Sequence, residues 1–547
     1  MNDRTGMSRR VRLTLAIVSG LMLGVSFPPC HTGILAAVAF VPFLIVLDSL
    51  DGYADSIRFS YLWMLVVHVV ALYWTGGFTH GRDVYLMIAG TALLVVHPLF
   101  YAPVAMAIIF LRRRFGSRQS IVLFPILWVA LEYLLSKGEI SFPWLTLGNT
   151  QTYDLLTIQL SSITGVYGIS LWLLLINVLT YLLYEKVSSG TWRLGSVPAI
   201  LQMSSIVILY FLPKVYGAGA LSNETQPDPG SSVRVGIVQP NIDPFAKWQE
   251  EAGEQLAVLN RLTQKVACDT LDLVIWPETA MPVYILAPEN RPYFETTKRE
   301  VDMLGVNLLT GMPDLVYYDS TEPIPRSSKK SGDGRYYDTF NSSLLLQPRS
   351  DVIQKYAKTI LVPFAERVPY SEELSFLNAM KWNFGLGGWG IGKQLTVFAC
   401  STRTGFAMKF SNMICYESVY PGYVAEFVRR GAQFLTIVTN DSWWGNTSGA
   451  YQHEQFAVLR AVENRRWIAR CANGGISCFI DPYGRSIYPT TMYSDTTIVG
   501  TIEQRRDLTF YTQHGDWLAE TCLIVTALTM ATAFGTMMYR RVRRSAP

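Results

Sequence analysis

The 547-residue sequence is short of charge, because Lys, Arg, Asp and Glu together make up 16% of it, whereas ordinary soluble proteins carry roughly 25%. It has only 6 histidines and 7 cysteines, and sparse cysteines exclude a small disulfide-stabilised scaffold. A net charge of +4 is too small to indicate nucleic-acid binding. We find no internal repeat and no long low-complexity region, which excludes collagen-like and disordered chains. Hydrophobic residues, at 50%, are abundant and unevenly distributed.

Long apolar runs predict a membrane domain at the front of the chain. A membrane-spanning helix needs about 20 mostly apolar residues. Eight segments qualify or nearly qualify: 10–27, 33–50, 58–78, 85–111, 119–137, 165–185, 197–213 and 517–539. The first could instead be a cleaved signal peptide, but the six segments directly behind it make cleavage unnecessary.

Clusters of basic residues predict how these helices are oriented. The clusters flank the first, fourth, sixth and eighth segments: Arg9, Arg10 and Arg12; Arg112, Arg113, Arg114 and Arg118; Lys186 and Arg193; Arg540, Arg541, Arg543 and Arg544. Eight helices place all four clusters on one side, and the positive-inside rule makes that side cytoplasmic. Both termini are then cytoplasmic, and residues 214–516 lie outside the cytoplasm.

The middle of the chain predicts a separate α/β domain. We assign residues 1–216 to the first seven helices, 217–232 to a linker, 233–512 to the α/β domain, and 513–547 to the last helix and its basic tail. Within residues 233–512, short β-branched runs alternate with amphipathic stretches, a pattern typical of a layered sheet covered by helices. The predicted strands are 233–239, 271–276, 307–311, 339–346, 407–415, 433–439, 467–472, 476–480 and 497–502, and the predicted helices are 249–267, 292–304, 420–430 and 452–463.

Nothing in this domain predicts a metal or a cofactor. Its cysteines lack zinc-ligand spacing, and only His453 accompanies them. The glycine-rich stretch at 385–392 has no strand before it, so it does not fit a nucleotide loop. We predict a mobile loop there, with an apolar face formed by Trp382, Phe384 and Trp389. Whether any two thiols form a disulfide stays open.

Polar residues that directly follow apolar strands are the candidates for chemistry. Glu278 ends one such run, Cys415 a second, and Asn440 with Asp441 a third. Lys358 precedes an apolar run that ends at Glu366. A thiol is a strong nucleophile only as the thiolate, so it needs a base for its proton and a cation for the resulting charge. Taken singly, each residue also has an ordinary structural explanation.

The motifs together resemble a known family. Trp276-Pro277-Glu278, Lys358 before Leu361-Val362-Pro363-Phe364-Ala365-Glu366, and Ile414-Cys415-Tyr416-Glu417 resemble the Glu-Lys-Cys triad of the nitrilase superfamily. The flanking segments resemble the apolipoprotein N-acyltransferase family: Val238–Ile242 with Trp248, Thr439–Gly445, Gln452-His453 and Arg460–Arg465. Ala365 and Trp444 depart in size from the residues usual in that family.

The resemblance implies a four-layer α-β-β-α sandwich outside the cytoplasm on a bundle of about eight helices, in a bacterial inner membrane. It implies that Cys415 takes the sn-1 acyl chain of a phospholipid as a thioester and passes it to the N-terminal S-diacylglyceryl-cysteine of an apolipoprotein. Glu278 would be the general base and Lys358 would hold the oxyanion. The supporting residues would be Glu366, Tyr416 and Glu417, and the substrate contacts would be Trp248, Asn341, Trp382, Trp389, Asn440 and Trp443. No cofactor or metal is implied, and a single chain carries every catalytic part, which favours a monomer.

Two other functions are compatible with some of the same sequence features. A membrane-anchored amidase would have the same triad with water as the acceptor, but it would need no lipid platform. A transporter or receptor would be expected to carry ionisable residues inside its helices, where Glu132, His68 and His97 are the only clear candidates.

Overall fold

The computed structural model describes residues 6–79, 81–224, 230–249, 251–267, 270–319, 323–326, 328–374 and 388–545. The helices before the α/β domain are α1 (Arg9–Gly24), α2 (Val41–Asp48), α3 (Tyr53–Leu72), α4 (Val84–Val96), α5 (Ala102–Phe115), α6 (Ser117–Val122), α7 (Phe124–Leu134), α8 (Leu155–Ile158), α9 (Ser161–Ser188) and α10 (Val197–Ser222). Those that follow are α11 (Ala252–Val266), α12 (Arg291–Leu304), α13 (Pro421–Arg429), α14 (Ser448–Asn464), α15 (Phe510–His514) and α16 (Trp517–Ser545).

The strands of the α/β domain form two sheets. They are β1 (Ser232–Gln239), β2 (Leu273–Ile275), β3 (Asn307–Tyr317), β4 (Lys329–Lys330), β5 (Tyr336–Leu346), β6 (Gln354–Ala357), β7 (Phe398–Ser401), β8 (Ala407–Ile414), β9 (Phe434–Thr439), β10 (Ile468–Ala472), β11 (Cys478–Ile480), β12 (Ser486–Ile487) and β13 (Thr496–Glu503). One sheet has the order β13-β1-β2-β3-β5-β4 with β6 beside β5, and the other has the order β12-β11-β10-β9-β8-β7.

The two sheets pack face to face and each is covered by helices. β1 contacts β10 across the interface, α11 packs on β1 and β13, and α13 and α14 pack on β8 and β11. The central strands are apolar on both faces, as strands covered on both sides must be, and all six residues of β9 are buried. The predicted α-β-β-α sandwich is therefore confirmed.

Each of the eight predicted apolar segments contains helix, but they differ in length. By length and hydropathy, five helices of the described chain could span a membrane: Tyr53–Leu72, Val84–Phe115, Ser161–Ser188, Val197–Ser222 and Trp517–Arg543. Two shorter apolar helical segments cover Gly33–Asp48 and Phe124–Leu134. The first predicted segment forms α1, which has 16 residues.

The last two helices are longer than predicted. α10 does not end at residue 213 but continues to Ser222 with Pro213 inside it, so the predicted linker 217–232 begins in helix. Packing explains this extension. Gly217 lies so close to the carbonyl oxygen of Leu156 that an added Cβ would be 1.9 Å from it. Tertiary packing of this kind outweighs the low helix propensity of glycine. α16 likewise continues through the basic tail to Ser545.

Two glycines on one face of α1 form the seam with α3. A Cβ on Gly20 would lie 2.8 Å from the Val66 side chain, and one on Gly24 would lie 2.6 Å from the Val70 side chain. The spacing of four residues puts both glycines on the same face, which is how small residues let membrane helices approach closely.

We expect Gly24→Leu to disrupt this seam. Overpacking a tight contact typically costs about 1–3 kcal/mol, so the thermal midpoint in detergent should fall by several degrees. The matched control is Gly535→Leu in α16, where an added Cβ meets nothing within 4 Å. Equal thermal midpoints for the two variants would show that the seam does not stabilise the helical region.

Buried hydrogen bonds join the α/β domain to the helices. The side-chain oxygen of Gln452 in α14 accepts the indole N–H groups of Trp74, at 3.1 Å, and Trp144, at 2.7 Å. Its amide nitrogen donates to the carbonyl oxygens of Pro28, at 2.9 Å, and Ala71, at 3.0 Å. All four hydrogen bonds reach segments of the helical region, so Gln452 fixes the domain against one end of the bundle.

Candidate active site

Glu278 lies in a strained turn directly after β2. Thr279 has a φ of 46°, a left-handed conformation that costs a non-glycine residue about 1–3 kcal/mol and is common at functional sites. Gly311 of β3 lets the turn come close, because a Cβ there would lie 2.7 Å from the Cα of Glu278. The turn and β3 are tied by the bond from the Gly311 N–H to the Pro277 carbonyl oxygen, at 3.1 Å.

Lys358 follows β6 and lies between two carboxylates. Its Nζ is 2.9 Å from Oε1 of Glu366 and 3.5 Å from Oε1 of Glu278. Nδ2 of Asn341, in β5, donates to both of these oxygens, at 2.7 Å to Glu278 and 3.2 Å to Glu366. The backbone N–H of Val362 donates to the other oxygen of Glu366, at 2.8 Å. The lysine is thus held by a network that leaves its side chain 1% exposed.

Cys415 begins the turn after β8 with a left-handed φ of 52°. Two side chains contact its carbonyl oxygen: Oγ of Ser418 donates to it at 2.8 Å, and Nε2 of His453 lies 3.1 Å away. Nδ1 of His453 is 2.9 Å from Asp441, which also pairs with Arg470 at 2.7 Å. His453 thus links the backbone of the cysteine turn to the buried Asp441–Arg470 pair.

Glu417 connects the cysteine turn to the lysine loop. One carboxylate oxygen accepts the backbone N–H of Ile414 at 2.8 Å, and the other accepts the N–H of Thr359 at 2.7 Å and the hydroxyl of Tyr356 at 2.5 Å. Glu417 is fully buried, and burial raises the pKa of its carboxyl group, opposed by these hydrogen bonds. Its hydrogen bonds therefore join the segment of Cys415 to the segment of Lys358.

We expect Glu417→Gln to separate the cysteine turn from the lysine loop. An amide has only one acceptor oxygen, so one of the two backbone N–H groups would face an NH₂ group, and an unsatisfied buried donor costs about 1–3 kcal/mol. The activity of the site should fall at least tenfold, given that small displacements of reacting groups are costly. The control is Glu426→Gln, whose carboxylate pairs with Arg429 and Arg430 on the surface of α13. Wild-type turnover in Glu417→Gln would contradict this role.

The electrostatics of the site keep the thiol protonated at rest. Burial raises the pKa of Cys415 well above the ordinary range, Glu278 adds to the rise, and Lys358 opposes it. Burial alone would lower the pKa of Lys358, but the charges of Glu366 and Glu278 outweigh it and raise that pKa. The site therefore combines a charged ammonium group with a protonated thiol, and the two interact electrostatically.

The predicted substrate contacts lie in different places around this centre. Trp248 is 40% exposed. Trp443 is half-buried and packs edge-to-face on Phe245 at 5.0 Å. Trp389 is buried, and its backbone N–H donates to the carbonyl oxygen of Glu366 at 3.2 Å. Trp382 lies outside the described residues.

Three predicted site residues make structural contacts with their side chains. Asn341 binds the two carboxylates, as described above. The side-chain oxygen of Asn440 accepts from Asn473 at 3.2 Å and so joins two loops. The hydroxyl of Tyr416 donates to the carbonyl oxygen of Ser141 at 2.9 Å, so the tyrosine side chain faces the helical region and only its backbone N–H remains available for the oxyanion role.

Lys247, which lies beside the turn of Glu278, was not among the predicted site residues. Its Nζ donates to the carbonyl oxygen of Glu278 at 3.3 Å and to Oγ1 of Thr279 at 2.8 Å. Burial lowers the pKa of Lys247 to about 7, and the nearby charge of Glu278 opposes the shift. A lysine in a polar loop resembles a surface residue, and its position directly before Trp248 was the only available signal.

Comparison with known proteins assigns both parts of the chain. Residues 19–179 match the family model of the apolipoprotein N-acyltransferase N-terminal domain, and residues 234–507 match that of the carbon-nitrogen hydrolases. The apolipoprotein N-acyltransferase of Chlorobaculum tepidum is 38% identical over 93% of this chain and 94% of its own. That of Geobacter metallireducens is 32% identical over 98% of this chain and 97% of its own. The chain therefore belongs to the apolipoprotein N-acyltransferase family, with a carbon-nitrogen hydrolase domain as its α/β part.

Proposed function

We propose that this protein moves the sn-1 acyl chain of a phospholipid, through a thioester on Cys415, to the α-amino group of the S-diacylglyceryl-cysteine of an apolipoprotein. The observation that carries the proposal is the buried network in which Lys358 lies between Glu278 and Glu366. It adjoins a strained cysteine whose thiol interacts electrostatically with both Glu278 and Lys358. Membership of the acyltransferase family supplies the two lipid substrates.

In the first half-reaction, Glu278 accepts the thiol proton while the sulfur of Cys415 attacks the ester carbonyl carbon. The oxyanion is held by the ammonium group of Lys358 and the backbone N–H of Tyr416, and one such donor is typically worth about 10²–10³ in rate. When the carbon–oxygen bond breaks, Glu278 returns its proton to the departing alkoxide. The products are a lyso-phospholipid and the thioester of Cys415.

In the second half-reaction, the neutral α-amino group of the lipoprotein attacks the thioester carbonyl carbon. Glu278 accepts a proton from the amine as the carbon–nitrogen bond forms. Collapse breaks the carbon–sulfur bond, and the proton on Glu278 restores the thiol of Cys415. General-base catalysis of this type contributes typically about 10²–10⁴-fold, and the same carboxylate serves both halves.

The attachment of the catalytic domain to apolar helices supports lipid substrates. An acyl chain leaves the bilayer at a cost of about 0.8 kcal/mol for each CH₂ group, so the site must lie at the membrane surface. Phe142 and Trp144, in the loop between α7 and α8, stack on Tyr416 at 6.4 Å and 6.3 Å. The residue next to the nucleophile therefore packs against the helical region. We propose that Trp248 and Trp443 contact the substrates at the edge of the active site.

The arrangement of charged residues supports an eight-helix topology with both termini in the cytoplasm. Arg12, at the start of α1, donates to Ser49 after α2 at 2.9 Å, and Arg112, at the end of α5, donates to the Leu50 carbonyl at 2.7 Å. These basic residues meet at one end of the bundle, and Gln452 contacts the opposite ends of α1 and α3. Basic clusters face the cytoplasm, which supports a catalytic domain, residues 233–512, that faces outward. Because a single chain carries every proposed catalytic residue, we propose that the protein acts as a monomer.

The products of a single incubation test the proposed reaction. The protein, in detergent micelles, is mixed with a phospholipid labelled in its sn-1 chain and with a synthetic diacylated lipopeptide. We expect the label on the peptide amine, together with an equal amount of lyso-phospholipid. Labelled free fatty acid, released at the same rate with and without peptide, would instead identify a membrane-anchored hydrolase.

A further inference from the structure

A lysine without an ionic partner lies buried directly behind the base. Lys247 follows β1 and is 2% exposed. Its Nζ has two acceptors, the carbonyl oxygen of Glu278 and the hydroxyl of Thr279. No carboxylate of the described residues forms an ion pair with it. Burying an unpaired lysine is costly, and buried groups with strongly perturbed pKa values concentrate at functional sites.

The contacts of Lys247 tie a surface loop to the catalytic turn. Its backbone N–H donates to the backbone carbonyl oxygen of Asp243 at 3.0 Å, and its own carbonyl oxygen accepts from the side-chain amide of Gln255 at 2.7 Å. Asp243 in turn pairs with Arg82 of the helical region at 2.7 Å. Lys247 is thus fixed at its backbone. Its side-chain nitrogen contacts the Glu278–Thr279 turn, in which Thr279 has a left-handed conformation.

We propose that Lys247 is a positioning residue, which holds the Glu278–Thr279 turn and whose charge favours the ionised form of the Glu278 carboxylate. The inference rests on the proposed role of Glu278 as general base. The charged and titratable groups that face this carboxylate are Lys358, Cys415 and Lys247, with Glu366 reached through Asn341. Lys358 lies closer to Glu366 than to Glu278. Lys247 is the second cation whose charge acts on Glu278.

The test is the pH dependence of thioester formation by the full-length protein in micelles, with a labelled phospholipid as the probe. Lys247→Met removes the charge, so the Glu278 carboxylate becomes easier to protonate and the acid limb should move up by about one pH unit. The rate at neutral pH should fall roughly tenfold to a hundredfold. Thr279→Val removes one acceptor but keeps the charge, so it should slow the reaction and leave the acid limb in place.

Stability separates positioning from a merely structural role. Lys247→Met removes a costly buried charge but also loses two hydrogen bonds, so the thermal midpoint at pH 7 should stay within a few degrees of that of the wild type. Lys298→Met, which loses only a pair with Asp302 on α12, is the control for a lost lysine.

Three outcomes would overturn the inference: an unshifted acid limb in Lys247→Met, a loss of rate matched by a lower thermal midpoint, or a wild-type rate in Thr279→Val. Glu278→Gln is measured beside them. If it still forms the thioester, the proposed base itself is wrong. If it is inactive while Lys247→Met behaves as wild type, only the role of Lys247 fails.

Discussion

Replacing Cys415 by alanine should abolish both half-reactions, because its thiol is the group that we propose to carry the acyl chain. Removing a catalytic nucleophile leaves only what binding and the oxyanion donors supply, a loss on the order of 10⁶ in the best-studied triads. Cys415→Ser should be almost as inactive, since Glu278 would have to deprotonate a far less acidic hydroxyl. The measurement is transfer of a labelled sn-1 chain to a lipopeptide.

The controls for this experiment are other buried thiols. Cys400 lies on the edge strand β7 and is 9% exposed, and Cys471 donates its S–H to the Val238 carbonyl oxygen at 3.3 Å. We expect Cys400→Ala and Cys471→Ala to retain activity, with stability losses of about 1–3 kcal/mol at most from smaller buried side chains. Acyl transfer by Cys415→Ala would contradict the assignment of the nucleophile.

Lys358→Met should cause the next largest loss. The substitution removes the cation beside the oxyanion, at a typical cost of about 10²–10³ in rate. It also leaves Glu278 and Glu366 buried without their shared counter-ion, so one of them is expected to bind a proton. A protonated Glu278 cannot act as a base, and the total loss should therefore exceed that of a single oxyanion donor.

A neighbouring lysine provides a matched control for Lys358→Met. Lys355 lies three residues earlier, is 44% exposed at its side chain, and pairs with Asp314 at 2.7 Å. Lys355→Met removes the same chemical group from the same segment and should retain nearly full activity. Equal activities for the two variants would show that Lys358 does not stabilise the transition state.

The sequence predicted the buried parts of the fold well and its edges poorly. The strand predicted at 233–239 is observed at Ser232–Gln239, and that at 433–439 at Phe434–Thr439, because a strand covered on both faces is a continuous apolar run. β6 was missed, since Gln354–Ala357 is short and polar. β4 and β12 have only two residues each, too few to carry an alternating pattern.

The candidate site shows the same limit. Glu278 and Cys415 were identifiable because each follows a predicted apolar strand, whereas Lys358 follows the strand that was missed and was selected by its motif. The role of Asn341 depends on the pairing of β5 with β6, which aligns Ser342 with Ala357 and which no local pattern reveals. Lys247 was missed, because its burial arises from the packing of its loop against the turn of Glu278.

The central claim is that Cys415 carries the acyl chain, and mass spectrometry of the protein after exposure to phospholipid tests it most directly. We predict a single acyl group on the protein fragment that contains Cys415. This group should disappear when a diacylated lipopeptide is added, and it should then be found on the amine of the lipopeptide. An acyl group on Cys471 or Cys478 would contradict the account, and so would lipopeptide acylation by a protein that carries no modified cysteine after exposure to phospholipid alone.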